Sequence, residues 1–236
     1  MKPYYQDELL TIYNADCRKV LPWLERCDLL LTDPPYGMDY QSNLRDISLK
    51  KIENDSDLTL VSELVNMAIL KLWAHRHAYI FGRYDFDLTR FKGVHELIWN
   101  KDEMTAGDLT MPWGKSYEVV TFGIRVDCDS NLANSQKRGE LPGRLRKKSI
   151  LTYRRLAGLS LVHPTQKPVA LLREFIESSS HFGQLVLDPF MGSGSTLVAA
   201  KLEGRRAIGI ELDESYCAAA VKRIETETTN IQLKMI

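Results

Sequence analysis

The stretch QLVLDPFMGSGST, Gln184 to Thr196, decides the fold, because an apolar strand runs into a glycine-rich turn that opens a helix. Glycines let the backbone of such a turn approach a ligand closely, and the helix behind it presents unpaired N–H groups. The turn is not a P-loop, since Ser195 stands where that motif has a lysine, and it does not match the GxGxxG dinucleotide fingerprint. It predicts a strand–turn–helix unit that either binds a ligand or packs tightly.

The rest of the chain alternates between strand-like and helix-like apolar patterns. This alternation predicts an α/β fold with a doubly wound, seven-stranded, mostly parallel sheet, helices on both faces and an antiparallel pair near the middle. A helix is predicted from about Leu58 to His75. The long irregular stretches Met38 to Asp57 and Asp127 to Ser149 are typical of functional or mobile loops. The strand-like runs are LLTIYNADC, CDLLLTDPPY, HAYIFG, HELIWNK, SYEVVTFGI, QLVLDP and RAIGIEL.

Composition excludes several classes of protein. The 236 residues contain no apolar run near the ~20 residues of a membrane span, and the N-terminus lacks a signal-peptide core. The four cysteines form no CxxC pair, so we expect no metal site, no disulfide framework and a reducing cytoplasm. Basic and acidic residues balance at 31 each. That balance hides a basic segment with a single acid, Glu140, and the cations Lys137, Arg138, Arg144, Arg146, Lys147, Lys148, Arg154 and Arg155.

The turn LTDPPYG, Leu31 to Gly37, ends an apolar strand with an acid, two prolines and a tyrosine. The prolines stiffen the turn and keep the Pro34 carbonyl out of regular sheet pairing. A carbonyl beside the Asp33 carboxylate offers two acceptors, which match the two N–H donors of an exocyclic amino group. Tyr36 adds a face on which a planar base can stack. A purely structural turn would explain the prolines but not the acid and the aromatic ring together.

Glu211 ends the strand that follows the glycine-rich turn. In sheets of this kind, an acid at that position commonly accepts hydrogen bonds from ribose hydroxyls. Because Asp213 and Glu214 follow it, a helix-capping role is the alternative. Together with the glycine-rich turn, Glu211 favours a cofactor that contains a nucleoside.

The motifs DPPY, HPTQKP and DPFMGSGST together resemble those of the amino-directed DNA methyltransferases that use S-adenosyl-L-methionine. These enzymes methylate N6 of adenine or N4 of cytosine, and the motif order here is that of their β group. The resemblance implies a Rossmann-like fold with circularly permuted motifs. It also implies one catalytic domain, residues 1–236, with residues 127–155 as a small basic insertion for target recognition.

The resemblance assigns residues to roles. The catalytic motif would be Asp33, Pro34, Pro35 and Tyr36. The cofactor would be bound by Asp16, Cys17, Asp33, Thr165, Lys167, Asp188, Phe190, Gly192, Gly194, Ser195 and Glu211. DNA would be bound by Lys137, Arg138, Arg144, Arg146, Lys147, Lys148 and Arg154, for which a solvated charged loop is the alternative. Trp113 is either a second stacking residue or a packing anchor.

The expected activity is therefore methylation of adenine N6 in double-stranded DNA, on a base turned out of the duplex. An N4-cytosine enzyme, an RNA N6-adenine enzyme and a catalytically silent DNA-binding subunit are the alternatives. Cytosine-C5 methylation is excluded, because its nucleophile is a cysteine after a proline and no cysteine here follows one. The resemblance is compatible with a homodimer on DNA, with a cognate restriction endonuclease that forms no stable complex, and with the cytoplasm of a bacterium or phage-infected host.

Overall fold

The computed structural model describes residues 1–35, 58–82, 86–103, 112–114, 116–126, 147–155 and 166–232. In this part of the chain, nine strands form one sheet in the order β1-β2-β9-β8-β3-β4-β6-β5-β7. The strands are Tyr5–Gln6 (β1), Leu10–Asn14 (β2), Cys27–Thr32 (β3), Leu72–Phe81 (β4), Phe91–Asn100 (β5), Tyr117–Arg125 (β6), Ile150–Thr152 (β7), Leu185–Asp188 (β8) and Arg206–Glu211 (β9).

Helices cover both faces of the sheet. They are Cys17–Val20 (α1), Leu58–Ile69 (α2), Val169–Ser179 (α3), Ser195–Leu202 (α4) and Glu214–Gln232 (α5), with 3-10 turns at Leu21–Trp23 and Leu88–Arg90. Within the described residues, no helix is both long enough and apolar enough to cross a membrane.

Strand residues alternate between two cores. Leu29 and Leu31 of β3 pack with α3, α4 and α5, whereas Leu30 between them packs with α1 and α2. Successive side chains of a strand point to opposite faces, so a strand buried on both faces must be apolar throughout. The continuous run LLL of β3 and the run LVL of β8 meet this requirement. The predicted doubly wound, mostly parallel α/β fold is confirmed.

Two details differ from the sequence prediction. The sheet has two more strands than the seven expected, β1 and β7, which are only two and three residues long and too short for a recognisable alternation. The predicted helix from Leu58 to His75 was too long, because α2 ends at Ile69 and Leu72 already pairs with Cys27 in the sheet. Leu72 is apolar because it packs in the same core as α2, and its spacing from the α2 residues happens to match the helical period.

The chain topology places a crevice between β3 and β8. These strands are parallel neighbours, but β3 continues through α2 on one face to β4, and β8 continues through α4 on the other face to β9. The two connections therefore diverge at the carboxyl ends of β3 and β8. In open α/β sheets, ligands bind at such a topological switch point.

Candidate active site

A cleft opens at this switch point, and side chains from several strand ends line it. Because β2, β9, β8, β3 and β4 are parallel, residues far apart in sequence meet at one edge of the sheet. Asp33, Pro34 and Pro35 of the LTDPPYG stretch and the glycine-rich turn thus lie on the same cleft, as the sequence predicted. The acids among its lining residues are Asp16, Asp33, Asp188, Glu211 and Asp213.

Asp188 joins the glycine-rich turn to β3. Its Oδ1 accepts hydrogen bonds from Thr32 Oγ1 at 2.8 Å and from the Phe190 N–H at 3.2 Å. The side chain is only 3% exposed. Burial raises the pKa of Asp188 to about 6, because desolvation opposes ionisation more strongly than these hydrogen bonds favour it.

Glu211 joins the same turn to the start of α5. Its Oε2 accepts from the Gly192 N–H at 3.0 Å, and its Oε1 accepts from the Asp213 N–H at 2.9 Å. Burial raises the pKa of Glu211 above its usual range. The Leu212 N–H also donates to this carboxylate, which has about four acceptor positions, so Glu211 can still accept a further hydrogen bond in the cleft that it lines. The capping role and the ligand role are therefore compatible.

Asp33 forms an ion pair with the ammonium of Lys167, a residue of the HPTQKP motif. Lys167 Nζ also lies 3.3 Å from Glu118 Oε2 and 4.9 Å from the centre of the Phe81 ring. Burial by itself would lower the pKa of Lys167, but the two carboxylates outweigh burial and raise it. Lys167 thus stays an ammonium ion although it is only 5% exposed.

Glu118 and Lys101 extend this charge pairing away from the cleft, and sequence reasoning missed both. Glu118 lies near the start of β6. Its Oε1 is 2.6 Å from Nζ of Lys101, the residue that follows β5. Burial would raise the pKa of Glu118, but Lys167 and Lys101 outweigh it and lower the pKa. A charged residue among the apolar residues of SYEVVTFG was the available signal, although the sequence does not name its partners.

A DPP turn and a glycine-rich turn on one cleft are the arrangement that the motif resemblance implies. The family model of the N6/N4 DNA methylases matches residues 89–222, more than half of the chain. The chain belongs to the N6/N4 DNA methylase family.

Relatives of this methylase match along nearly its whole length. The type II methyltransferase M2.DpnII of Streptococcus pneumoniae is 28% identical over 251 residues, covering 96% of this chain and 93% of that protein. The type II methyltransferase M.HinfI of Haemophilus influenzae is 26% identical over 258 residues, covering 95% of this chain and 70% of that protein. The crystal structure of the M1.HpyAVI–SAM complex has the same fold, with a TM-score of 0.68, 22% identity and coverage of 92% of this chain and 99% of that chain.

Arg223 of α5 braces the glycine-rich turn of the methylase and was also missed by sequence reasoning. Its Nη1 donates to Ser193 O at 2.9 Å, to Ser193 Oγ at 3.1 Å and to Ser195 Oγ at 3.0 Å. Ser195 lines the cleft, and its hydroxyl oxygen accepts a hydrogen bond from this arginine. A buried arginine is hard to recognise in the helical pattern DESYCAAAVKRIE, where solvent-exposed charges are common.

Gly194 is not among the residues that line the cleft, and its role around the cofactor stays a prediction. It adopts the left-handed conformation with φ of 79°, and a Cβ there would lie 2.7 Å from Ala220 Cβ. Gly194 therefore allows the close packing of the turn on α5. Tight packing was the alternative to ligand binding that the sequence analysis gave for the whole motif. Gly192 and Phe190 do line the cleft.

Asp16 and Cys17 lie at the cleft where β2 ends, as predicted. Asp16 caps α1 by accepting the Arg18 N–H at 2.9 Å, and its carboxylate also pairs with the Arg18 guanidinium. Burial raises the pKa of the Cys17 thiol to about 12. Cys17 is therefore a neutral packing group and not a nucleophile.

Part of the predicted site lies outside the described residues. This applies to Tyr36 of the catalytic motif, to Thr165 of HPTQKP, and to the loop Met38 to Asp57. It applies equally to the DNA-binding candidates Lys137, Arg138, Arg144 and Arg146.

The described end of the basic segment is exposed and makes long ion pairs. Arg154 lies 3.9 Å from Asp102, and Arg155 lies 3.8 Å from Glu103. Lys147 likewise lies 3.5 Å from Glu174, and Lys148 is exposed. Exposed pairs of this kind contribute little to stability, so the cations can exchange partners. Trp113 is 88% exposed, and DNA binding by these residues stays a prediction.

Proposed function

We propose that this methylase transfers a methyl group from S-adenosyl-L-methionine to N6 of an adenine in double-stranded DNA. The observation that carries the proposal is the position of Asp33 and Pro34 on the same cleft as Asp188 and Glu211. One side of the cleft thus offers acceptors for an amino group, and the other offers a site for a nucleoside.

The residues of the cleft fit the cofactor. Glu211, at the end of β9, can accept a further hydrogen bond from a ribose hydroxyl, and the backbone of the turn around Gly192 can approach the cofactor closely. Asp16 is placed for the adenine end, at the tip of the neighbouring strand β2. When bound, S-adenosyl-L-methionine supplies an electrophilic methyl group on a sulfonium, and the sulfur of that sulfonium keeps the bonding electron pair as a neutral thioether.

Asp33 and Pro34 act on the amino nitrogen that receives the methyl group. The lone pair of an exocyclic amine is delocalised into the ring, so the nitrogen is a weak nucleophile. Hydrogen bonds from its two N–H groups to the Asp33 carboxylate and the Pro34 carbonyl favour a pyramidal nitrogen and aim its lone pair. The nitrogen becomes positive as the C–N bond forms, and the carboxylate stabilises that charge. One N–H proton then leaves through Asp33 to solvent, which restores a neutral amine.

Adenine is favoured over cytosine by the residue before the prolines. In the family that the motifs resemble, an aspartate at this position is typical of N6-adenine enzymes and a serine of N4-cytosine enzymes. Position 33 is aspartate here. The family as a whole includes both activities, so N4 of cytosine is the second candidate.

DNA as the substrate and a role in restriction–modification complete the proposal. The relative M2.DpnII is a type II methyltransferase, and this chain aligns with 93% of it. The exposed cations Arg154 and Arg155 lie beside the end of β5, at the same edge of the sheet as the cleft. Cations at that edge can contact phosphates that flank an extruded base.

Product analysis tests the proposal directly. The protein is incubated with methyl-tritiated S-adenosyl-L-methionine and, in separate reactions, duplex DNA, single-stranded DNA and RNA, and the nucleosides are separated after digestion. We expect label in N6-methyldeoxyadenosine from duplex DNA. Label only in N4-methyldeoxycytidine would establish the second candidate, and label only in RNA, or in no base, would overturn the proposal.

The variant Asp33→Ala tests the assigned residue. We expect methylation to fall by at least about a hundredfold, because the amine loses its charged acceptor. Binding of S-adenosyl-L-methionine, measured by calorimetry, should weaken only modestly. Asp28→Asn is the matched control, since Asp28 lies on β3 at the end far from Asp33 and accepts a hydrogen bond from the Leu185 N–H. Retained activity in Asp33→Ala would refute the role of Asp33.

A further inference from the structure

Asp33, Lys167, Glu118 and Lys101 form a buried to partly buried row of alternating charges that leads away from the cleft, here called the charged row. Lys167 lies between the two acids, in contact with Asp33 and 3.3 Å from Glu118 Oε2. Glu118 lies in turn between the two lysines, because its Oε1 is 2.6 Å from Lys101 Nζ. The net charge of the row is zero. Within it, the Lys167 ammonium can pair with either of two carboxylates, Asp33 or Glu118.

The pairing of Lys167 with Asp33 opposes the chemistry of methyl transfer. A cation beside a partly buried carboxylate favours its ionised form. During methylation, however, Asp33 must accept a hydrogen bond from the amine and face a nitrogen that becomes positive. An ammonium ion held on Asp33 would occupy one oxygen and cancel the charge that the nitrogen requires.

We infer that Glu118 is a positioning residue that receives the Lys167 ammonium when the target amine binds Asp33. This inference rests on the proposed function. Lys167 already hydrogen-bonds Glu118 over this 3.3 Å separation, and a movement of its side chain by less than about 1 Å would shorten the bond to the length usual for charge-assisted pairs. Lys101 holds the other oxygen of Glu118, so the acceptor stays in place while Lys167 moves.

The variants must respect the charge balance of the row. Glu118→Gln alone leaves one uncompensated buried cation, which by itself can unfold the protein. Adding Lys101→Met restores neutrality and still removes the alternative carboxylate for Lys167. Glu203→Gln is the matched control, because Glu203 also lies between two cations, Arg173 and Arg205, and does not line the cleft.

A double-mutant cycle separates positioning from general support. In single-turnover reactions with saturating DNA and cofactor, Lys101→Met/Glu118→Gln should slow methyl transfer on the order of tenfold. Lys167→Met does change the net charge of the row, but it removes the cation beside Asp33, whose carboxylate lines the cleft and is 18% exposed. In this background the same pair of changes should alter the rate by less than about twofold, since no ammonium remains to be received. Glu203→Gln should lower thermal stability and leave the rate unchanged. Equal losses in both backgrounds, or no loss in either, would overturn the inference.

Lysine NMR tests the movement without turnover. The ¹⁵Nζ signal of Lys167, identified by its loss in Lys167→Met, is followed while duplex DNA and a non-transferring amine analogue of the cofactor are added. We expect it to shift in the wild-type protein and in Glu203→Gln, but not in Lys101→Met/Glu118→Gln. A signal that does not shift in the wild-type protein would refute the exchange. Failure of the proposed function is distinguishable, because the wild-type protein would then methylate no adenine at all.

Discussion

At the scale of single residues, the cleft contains two carboxyl groups with opposite electrostatic surroundings. Asp33 faces the ammonium of Lys167, whereas Asp188 is held by neutral hydroxyl and backbone N–H groups. The negative charge of Asp33 also contributes to the raised pKa of Asp188, after the larger effect of burial. The two acids therefore suit different tasks, since Asp33 lies beside a cation at the cleft and Asp188 organises the turn.

The raised pKa of Asp188 predicts a cost in stability at neutral pH. A folded-state pKa of about 6 against 3.8 unfolded means that the folded protein binds more protons between these values. The contribution of Asp188 to stability therefore falls as pH rises through this window, by about 3 kcal/mol in total. Asp188→Asn removes this dependence. In urea unfolding, the stability of wild type relative to Asp188→Asn should be highest below pH 3.8 and lowest above pH 7.

Asp7→Asn is the control, because the pKa of Asp7 is shifted in the opposite direction and its contribution to stability therefore changes with pH in the opposite sense. Burial would raise the pKa of Asp7, but hydrogen bonds from Lys201 and from the Leu9 and Leu10 N–H groups outweigh burial and lower it. Its contribution is present above pH 3.8 and is lost as pH falls below that value. The stability of wild type relative to Asp7→Asn should therefore rise with pH. The same trend in both variants would contradict the assignment for Asp188.

At the scale of elements, α5 shapes the glycine-rich turn from behind. Arg223 donates to Ser193 and Ser195, and Ala220 leaves room only for a glycine at position 194. The turn presents Gly192 and Phe190 to the cleft while its other side is fixed on the helix. Packing and ligand binding, which the sequence offered as alternatives, are thus divided between residues of one turn.

Two glycines with nearly the same backbone conformation allow that packing to be measured. Gly183 has φ of 76° with open space around it, and Gly194 has φ of 79° with Ala220 Cβ 2.7 Å from the position of a Cβ. Gly183→Ala should cost about 1 kcal/mol of folding free energy, the strain of the left-handed region. Gly194→Ala should cost about 1–3 kcal/mol more, because the turn and α5 must also move apart.

Denaturant unfolding of both variants separates strain from overlap, and cofactor affinity supplies the second readout. Moving the turn should weaken binding of S-adenosyl-L-methionine in Gly194→Ala but not in Gly183→Ala. Equal unfolding free energies for the two variants would show that Ala220 gives way easily, against the packing role assigned to Gly194.

At the scale of the whole molecule, the sequence predicted what depends on local pattern and missed what depends on neighbouring strands. Continuous apolar runs on β3 and β8 indicated a sheet buried on both faces, and motif order indicated that Asp33 and Asp188 share a cleft. The charged row could not be predicted, because it requires the order β4-β6-β5. Lys167 was expected near the cofactor, and its pairing with Asp33 emerged only from the fold.

The placement of charge around the whole molecule predicts how DNA binding depends on salt. Arg154 and Arg155 lie at the cleft edge of the sheet, whereas Arg90 and Lys92 lie at the opposite edge, where β5 begins. Each phosphate contact contributes a slope of about 0.9 to the fall of log K with log salt. Arg154→Gln/Arg155→Gln should therefore reduce the slope by about 1 to 2, and Arg90→Gln/Lys92→Gln should leave it unchanged.

Fluorescence anisotropy with a labelled duplex at several salt concentrations measures both slopes. Equal slopes for the wild-type protein and Arg154→Gln/Arg155→Gln would mean that DNA approaches the cleft without contacting this end of the basic segment.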